Sequence, residues 1–244
     1  PQKVLLEIME CDICFCIGWQ RLIPEEILSK FKFGVFGMHA TEKKLPYGKG
    51  RSPVNWALIN GSRKLHANVI KYDESIDGGL IYSSNIVDVN MKDNIHTLQQ
   101  RLSFIFALEA IKILQDIKMG VIKLEKQNKE ISEYFYPRRS EKDGLINLNW
   151  TVNQICDFVR AQTRPYPGAF FLTNVGEIKI WNCQEFLIPD TTLIQKYANG
   201  EIVGKFSDNS FLINFVDGLL LVTEHEFPLE VEHSKIILKG DKDV

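Results

Sequence analysis

From Asp93 to about Met119, Ile95, Leu98, Leu102, Ile105, Leu108, Ile111 and Leu114 recur at steps of three and four residues, and Gly120 follows. That period predicts one long amphipathic helix whose apolar stripe must be covered by another element. The segments before it can supply the cover. Ile8–Gly18 is an apolar run ending in glycine, the pattern of a strand in a covered parallel sheet. Pro24–Phe31 reads as a helix with Glu25 and Glu26 in its first turn, where carboxylates suit the dipole. Gly34–Phe36, Leu65–Tyr72 and Leu80–Val87 read as strands and Asn55–Gly61 as a short helix, while the polar stretch Gly37–Pro53 reads as a loop. Strands alternating with helices predict an α/β fold.

The pattern changes near Tyr134–Asp143, where Arg138-Arg139-Ser140-Glu141-Lys142-Asp143 reads as a solvated linker. A short helix is expected over Val152–Gln162, stopped by Pro165 and Pro167. Short strands follow at Ala169–Thr173, Glu177–Asn182, Glu201–Phe206, Phe211–Phe215 and Leu219–Glu224, with turn signals between them, which predicts a small β-barrel. Two domains are expected, residues 1–130 and 131–244.

The 244 residues carry 29 basic and 31 acidic side chains, a formal charge of −2, with 45% hydrophobic residues. That balance belongs to an ordinary globular protein and argues against one that lives on phosphate backbones. No run approaches the roughly 20 apolar residues of a membrane span. The five cysteines, Cys11, Cys14, Cys16, Cys156 and Cys183, are odd in number, and three crowd one apolar run. They read as core thiols of a reducing, cytoplasmic protein, with redox or metal chemistry the lesser reading and no metal expected. Strand alternation puts Cys14 and Cys16 on one face and Cys11 on the other.

Two features could carry chemistry. His39 follows a predicted strand, and Asp77 ends the acidic turn Asp73-Glu74-Ser75-Ile76-Asp77-Gly78-Gly79 after another. Ligands of open α/β sheets bind beyond strand ends, and a carboxylate there can orient an imidazole and raise its basicity. Taken singly, His39 reads more often as a surface or hydrogen-bonded histidine, and Asp77 as a turn aspartate.

Together the residues become recognisable. His39, Leu45-Pro46, Gly50-Arg51-Ser52-Pro53-Val54-Asn55-Trp56-Ala57-Leu58, Gly61 and Asp77-Gly78-Gly79-Leu80-Ile81 resemble the signature of the folate-dependent formyltransferases. The likeness continues through Arg138-Arg139, Asp143-Gly144, Trp150, Val159-Arg160-Ala161, Arg164–Ala169, Ile178–Trp181 and Gly218–Thr223, covering about residues 10–225. It is nearest the nucleotide-sugar N-formyltransferases, relatives of methionyl-tRNA formyltransferase, in Gly50–Trp56, Gly37-Met38-His39 and His66-Ala67.

The resemblance implies a Rossmann-like catalytic domain followed by an OB-like barrel. It implies transfer of formyl from N10-formyltetrahydrofolate to the amine of a dTDP- or UDP-linked amino sugar, with a place in lipopolysaccharide O-antigen biosynthesis. His39 and Asp77 are the implied catalytic residues. Trp19, Arg21, Leu22, Ile23, Asp73 and Ile76 are implied for the folate, and Gly50, Arg51 and Trp56 for the acceptor. In the family an Asn two residues before the histidine donates to the oxyanion; here that position is Gly37. Asn68 is a conceivable substitute, as is a backbone N–H near Gly37–His39. Glu42-Lys43-Lys44 reads as a solvated loop tip. The family's opening strands would precede Pro1, so the sheet is expected to lack them. A homodimer is the implied assembly, with neither nucleic acid nor membrane as partner. The alternatives are methionyl-tRNA formyltransferase and a catalytically silent folate- or nucleotide-binding relative.

Overall fold

A computed structural model describes residues 10–19, 21–174, 176–226 and 238. The chain divides into two compact units. One takes the chain to Ala57 with Ser62–Met91 and Thr97–Arg138; the other takes Leu58–Gly61, Lys92–His96 and the chain from Arg139 on.

In chain order to Tyr136 the elements are β1 (Ile13–Cys16), α1 (Glu25–Leu28), β2 (Gly34–Thr41), β3 (Tyr47–Gly50), α2 (Pro53–Ile59), β4 (Lys64–Lys71), β5 (Leu80–Asp88), α3 (Ile95–Met119) and β6 (Tyr134–Tyr136). β1, β2, β4 and β5 form one sheet in that order. β1 runs parallel to β2, while β2–β4 and β4–β5 are antiparallel, so the sheet is mixed. β3 and β6 make a separate parallel ribbon. The predicted first strand is shorter than its apolar run, and its opening residues Ile8 and Met9 lie outside the described residues.

One face of the sheet is dry. Phe36 and Val69 pack with Phe106 and Ile113 of α3, and Phe15, Met38 and Tyr82 close the cluster. The stripe of α3 differs from the expected one. Ile95, Leu98, Leu102, Phe106 and Ile113 are buried, whereas Leu108, Ile111 and Leu114 are exposed with Phe104. The helix carries apolar residues on two sides, so periodicity alone fixed its existence and not its buried face. Gly120 ends it in the left-handed region, φ 69°.

The second unit contains α4 (Val152–Gln162) and the strands β7 (Ala169–Thr173), β8 (Gly176–Phe186), β9 (Ile202–Lys205), β10 (Phe211–Phe215) and β11 (Gly218–Glu226). The linker expected at 138–143 closes into a single 3₁₀ turn, Glu141–Gly144, capped reciprocally by Ser140 and Asp143. α4 starts where a capping box dictates: the Thr151 hydroxyl accepts from the Gln154 N–H, and the Gln154 side chain reaches back to the Thr151 N–H. Its Ile155, Phe158 and Val159 join Phe171, Ile178, Ile180, Phe211, Ile213, Leu220 and Val222 in one core. The strands pair antiparallel in the order β7-β8-β11-β10-β9. Among the described residues β7 and β9 share no ladder, so the observed object is a five-stranded sheet where the sequence suggests a barrel.

Candidate active site

β2 sets the site. The sequence ended this strand at Phe36, but it runs to Thr41, so His39 lies within a strand and not on a loop. The extension exists because β4 supplies a partner for every residue, with His39 opposite Asn68 and Thr41 opposite His66. Alternation places Met38 on the dry face with Phe36, and Val35, Gly37 and His39 on the other. β1 aligns Cys14 with Val35 and Cys16 with Gly37, so both thiols share the His39 face. All five cysteines are free, and no cluster of ligand-type side chains that could hold a metal occurs among the described residues. Cys14 and Cys16 have thiol pKa values raised by burial and by the neighbouring thiol, Cys11 and Cys14 respectively.

The turn after β4 brings Asp77 to His39. Asp77 adopts φ 48°, a conformation that Asp tolerates better than most residues. Its Oδ1 lies 3.4 Å from His39 Nδ1, and its Oδ2 accepts the Gly50 N–H at 2.9 Å. The Gln127 amide donates to the Asp77 carbonyl at 2.6 Å and the Gly79 carbonyl at 3.1 Å, fixing the turn from behind. A Cβ on Gly79 would stand 1.9 Å from the Lys71 carbonyl oxygen, so only glycine fits where the turn re-enters the sheet.

β3 holds the pair from the other side. His39 Nε2 lies 2.9 Å from the Gly48 carbonyl, and the residue is 8% exposed. Gly48 and Gly50 have φ 84° and 93°, backbone that lets a short strand present a carbonyl to the imidazole and an N–H to the carboxylate. Both ring nitrogens therefore face oxygen acceptors, and a neutral imidazole has one N–H to give. Nothing in the sequence signalled Gly48 or Gln127, since both contacts depend on long-range folding.

The remaining predicted residues are dispersed. Trp19 and Leu22, on the segment between β1 and α1, are 47% and 59% exposed, as is Ile76 at 47%. Arg21 is exposed and Ile23 half-buried on the same segment. Asp73 caps its own turn, accepting from the Ser75 N–H at 2.9 Å and hydroxyl at 2.5 Å. Arg51 is exposed. Trp56 stacks on Tyr136, centroids 5.7 Å apart at 7°, and its indole N–H donates to the Pro137 carbonyl at 3.1 Å. Asn68 does not fill the oxyanion role suggested for it. It is 1% exposed, its amide donates to the His39 and His66 carbonyls at 3.0 Å each, and its oxygen accepts from Ser84 at 2.8 Å. Glu42, expected at a solvated tip, accepts hydrogen bonds from Tyr136 at 2.6 Å and Ser62 at 2.7 Å.

A buried histidine beside a half-buried carboxylate on a mixed α/β sheet, followed by an antiparallel domain, defines a two-unit α/β chain. The model of the formyl transferase family matches residues 3–109, and that of the formyl transferase C-terminal domain matches residues 139–234. The chain belongs to the formyl transferase family, with that family's Rossmann-like N-terminal domain followed by its C-terminal domain. It is 33% identical over 176 residues to the bifunctional polymyxin resistance protein ArnA of Wigglesworthia glossinidia brevipalpis, covering 72% of this chain and 26% of that one. It is 29% identical over 229 residues to the methionyl-tRNA formyltransferase of Buchnera aphidicola subsp. Schizaphis graminum, covering 93% of this chain and 70% of that one. Among solved structures, HypX from Aquifex aeolicus superposes with a TM-score of 0.73 at 16% identity, over 92% of this chain and 38% of that one. WlaRD, a sugar 3N-formyl transferase solved with dTDP and 5-N-formyl-THF, gives 0.61 at 20% identity, over 89% and 73%. No helix among the described residues is long and apolar enough to cross a membrane.

Proposed function

We propose that the protein is an N-formyltransferase that moves the formyl group of N10-formyltetrahydrofolate to the amine of a dTDP- or UDP-linked amino sugar. The His39–Asp77 contact carries the reading, because transfer to an amine requires a group to manage the amine's proton beside the formyl carbon. The folate supplies an activated formyl carbon. Trp19, Leu22 and Ile76 fit the faces of a flat ring, since each holds an apolar side chain open to solvent; Arg21, Ile23 and Asp73 flank them in sequence. Asp77, fixed by the Gly50 N–H and by Gln127, orients His39 and stabilises its protonated form as the amine loses its proton. To take that proton at Nε2, the ring exchanges the Gly48 carbonyl for the amine. Gly50, Arg51 and Trp56 are assigned to the acceptor, with Arg51 the cation among them, of a type that suits a diphosphate.

The sugar branch is favoured by the Gly50–Trp56 segment, by a net charge of −2 and by the fold it shares with WlaRD. A second reading, formylation of methionyl-tRNA, is favoured by the Buchnera relative, which matches 93% of this chain. Turnover on dTDP- and UDP-amino sugars set against charged initiator tRNA decides between them. Faster transfer to sugars supports the proposal, and preference for the tRNA replaces it.

A further inference from the structure

The family position that carries an oxyanion donor is Gly37, yet the space its side chain would occupy is filled. An ideal Cβ on Gly37 would lie 2.1 Å from the Tyr72 hydroxyl oxygen, 2.3 Å from Cζ and 2.8 Å from Cε1. Tyr72 follows β4, and its N–H donates to the Val35 carbonyl at 2.8 Å, which sets the residue beside the start of β2. Ile70 pairs with Gly37, so alternation along β4 puts the Tyr72 side chain on the same face as Gly37 and His39. Gly37 and His39 are two residues apart on one strand, a separation of roughly 6.5 Å. A phenol hydroxyl therefore stands where the missing amide would begin, one side-chain step from the imidazole.

Resting on the formyl-transfer reading above, we propose that the Tyr72 hydroxyl is the oxyanion donor of this enzyme, and that Gly37 is the space that admits it. The amine lone pair forms the new N–C bond to the formyl carbon, and the carbonyl π pair moves onto oxygen. Tyr72 donates its O–H to that oxyanion and keeps its proton. The amine's proton passes to the His39–Asp77 pair; on collapse the C–N10 bond breaks, N10 takes that proton from the pair, and the products are a formamide and tetrahydrofolate. Burial, with smaller contributions from Cys16 and Asp77, pushes the Tyr72 pKa far above that of a free phenol, so the group is a donor at any working pH.

The other nearby donors are committed elsewhere. The Asn68 amide holds two backbone carbonyls, the Gln127 amide holds the turn, and the Lys49 ammonium is paired with Glu133. Gly37 itself is flanked in the sheet by Cys16 and Ile70. Among the described residues no hydrogen bond engages the Tyr72 hydroxyl. A preorganised side-chain donor of this kind contributes about 10²–10³ to kcat.

The test measures formyl transfer and, separately, calorimetric affinity for 5-formyltetrahydrofolate, for wild type, Tyr72→Phe, Tyr72→Ala, Gly37→Asn/Tyr72→Ala and His39→Ala. Tyr72→Phe is expected to lower kcat by about 10²–10³ while KM and the affinity stay within about threefold. The double variant, which empties the space and restores the amide, is expected to exceed Tyr72→Ala by at least about tenfold. Tyr72→Phe at the wild-type rate, a loss confined to binding, or a double variant no faster than Tyr72→Ala overturns the assignment. If His39→Ala is dead while Tyr72→Phe matches wild type, only the tyrosine role falls. If wild type transfers formyl to no amine, the formyl-transfer reading falls with it.

Discussion

His39 Nδ1 and Asp77 Oδ1 stand 3.4 Å apart, although one lies within a strand and the other in a turn at the far end of its partner strand. The contact is assembled by backbone: the Gly48 carbonyl holds the ring and the Gly50 N–H holds the carboxylate. Such a pair is preorganised before any ligand arrives, and its hydrogen bonds are expected to tighten in the complex.

Replacing Asp77 with Asn keeps the left-handed backbone, which Asn also tolerates, and removes the charge. Formyl transfer is expected to fall by about 10²–10⁴ with the melting temperature nearly unchanged. Asp77→Val, a β-branched residue forced to φ 48°, is expected to lower the melting temperature as well. Steady-state kinetics beside thermal unfolding checks both, and Asp77→Asn with wild-type kcat contradicts the role.

Gly79→Ala drives a methyl into the Lys71 carbonyl, which belongs to rigid backbone. The turn must shift, costing about 1–3 kcal/mol and carrying Asp77 away from His39. Denaturant midpoints should drop and kcat should fall together. A loss of stability without loss of rate would show that the turn accommodates the methyl without moving its carboxylate.

Asn68→Ala separates support from chemistry. It leaves two carbonyls and the Ser84 hydroxyl without their buried partner, a cost of about 1–3 kcal/mol. The folded variant is expected to retain kcat within about tenfold. A larger loss in kcat would return Asn68 to the reaction.

His66 is held below the ordinary histidine pKa, by burial first and by the nearby Lys44 second. The unfolded chain binds that proton more readily. The stability linked to His66 is therefore present above the unfolded pKa of about 6.5 and is lost as pH falls from there toward the lower folded value. Urea midpoints at mildly acid and neutral pH should diverge less in His66→Gln than in wild type.

Much of this was legible in the sequence, and the gaps have physical causes. Val152–Gln162, Ala169–Thr173 and Phe211–Phe215 match their expected bounds because caps and turn signals are local. The strand through Gly37-Met38-His39-Ala40-Thr41 was hidden because its site face carries Gly, His and Thr, which read as loop. The β3–β6 ribbon, pairing Tyr47 with Tyr134, depends on contacts far apart in the chain that no periodicity reports. His39 and Asp77 could be named as a pair, whereas Tyr72 read as nothing more than the end of a strand.

The central claim is that the His39–Asp77 pair carries formyl transfer. Its most direct test follows release of tetrahydrofolate from 10-formyltetrahydrofolate in the presence of a dTDP-linked amino sugar, comparing wild type with His39→Ala. Wild type is expected to turn over, and His39→Ala to be at least about 100-fold slower while melting as a folded protein. A folded His39→Ala that matches the wild-type rate would contradict the account.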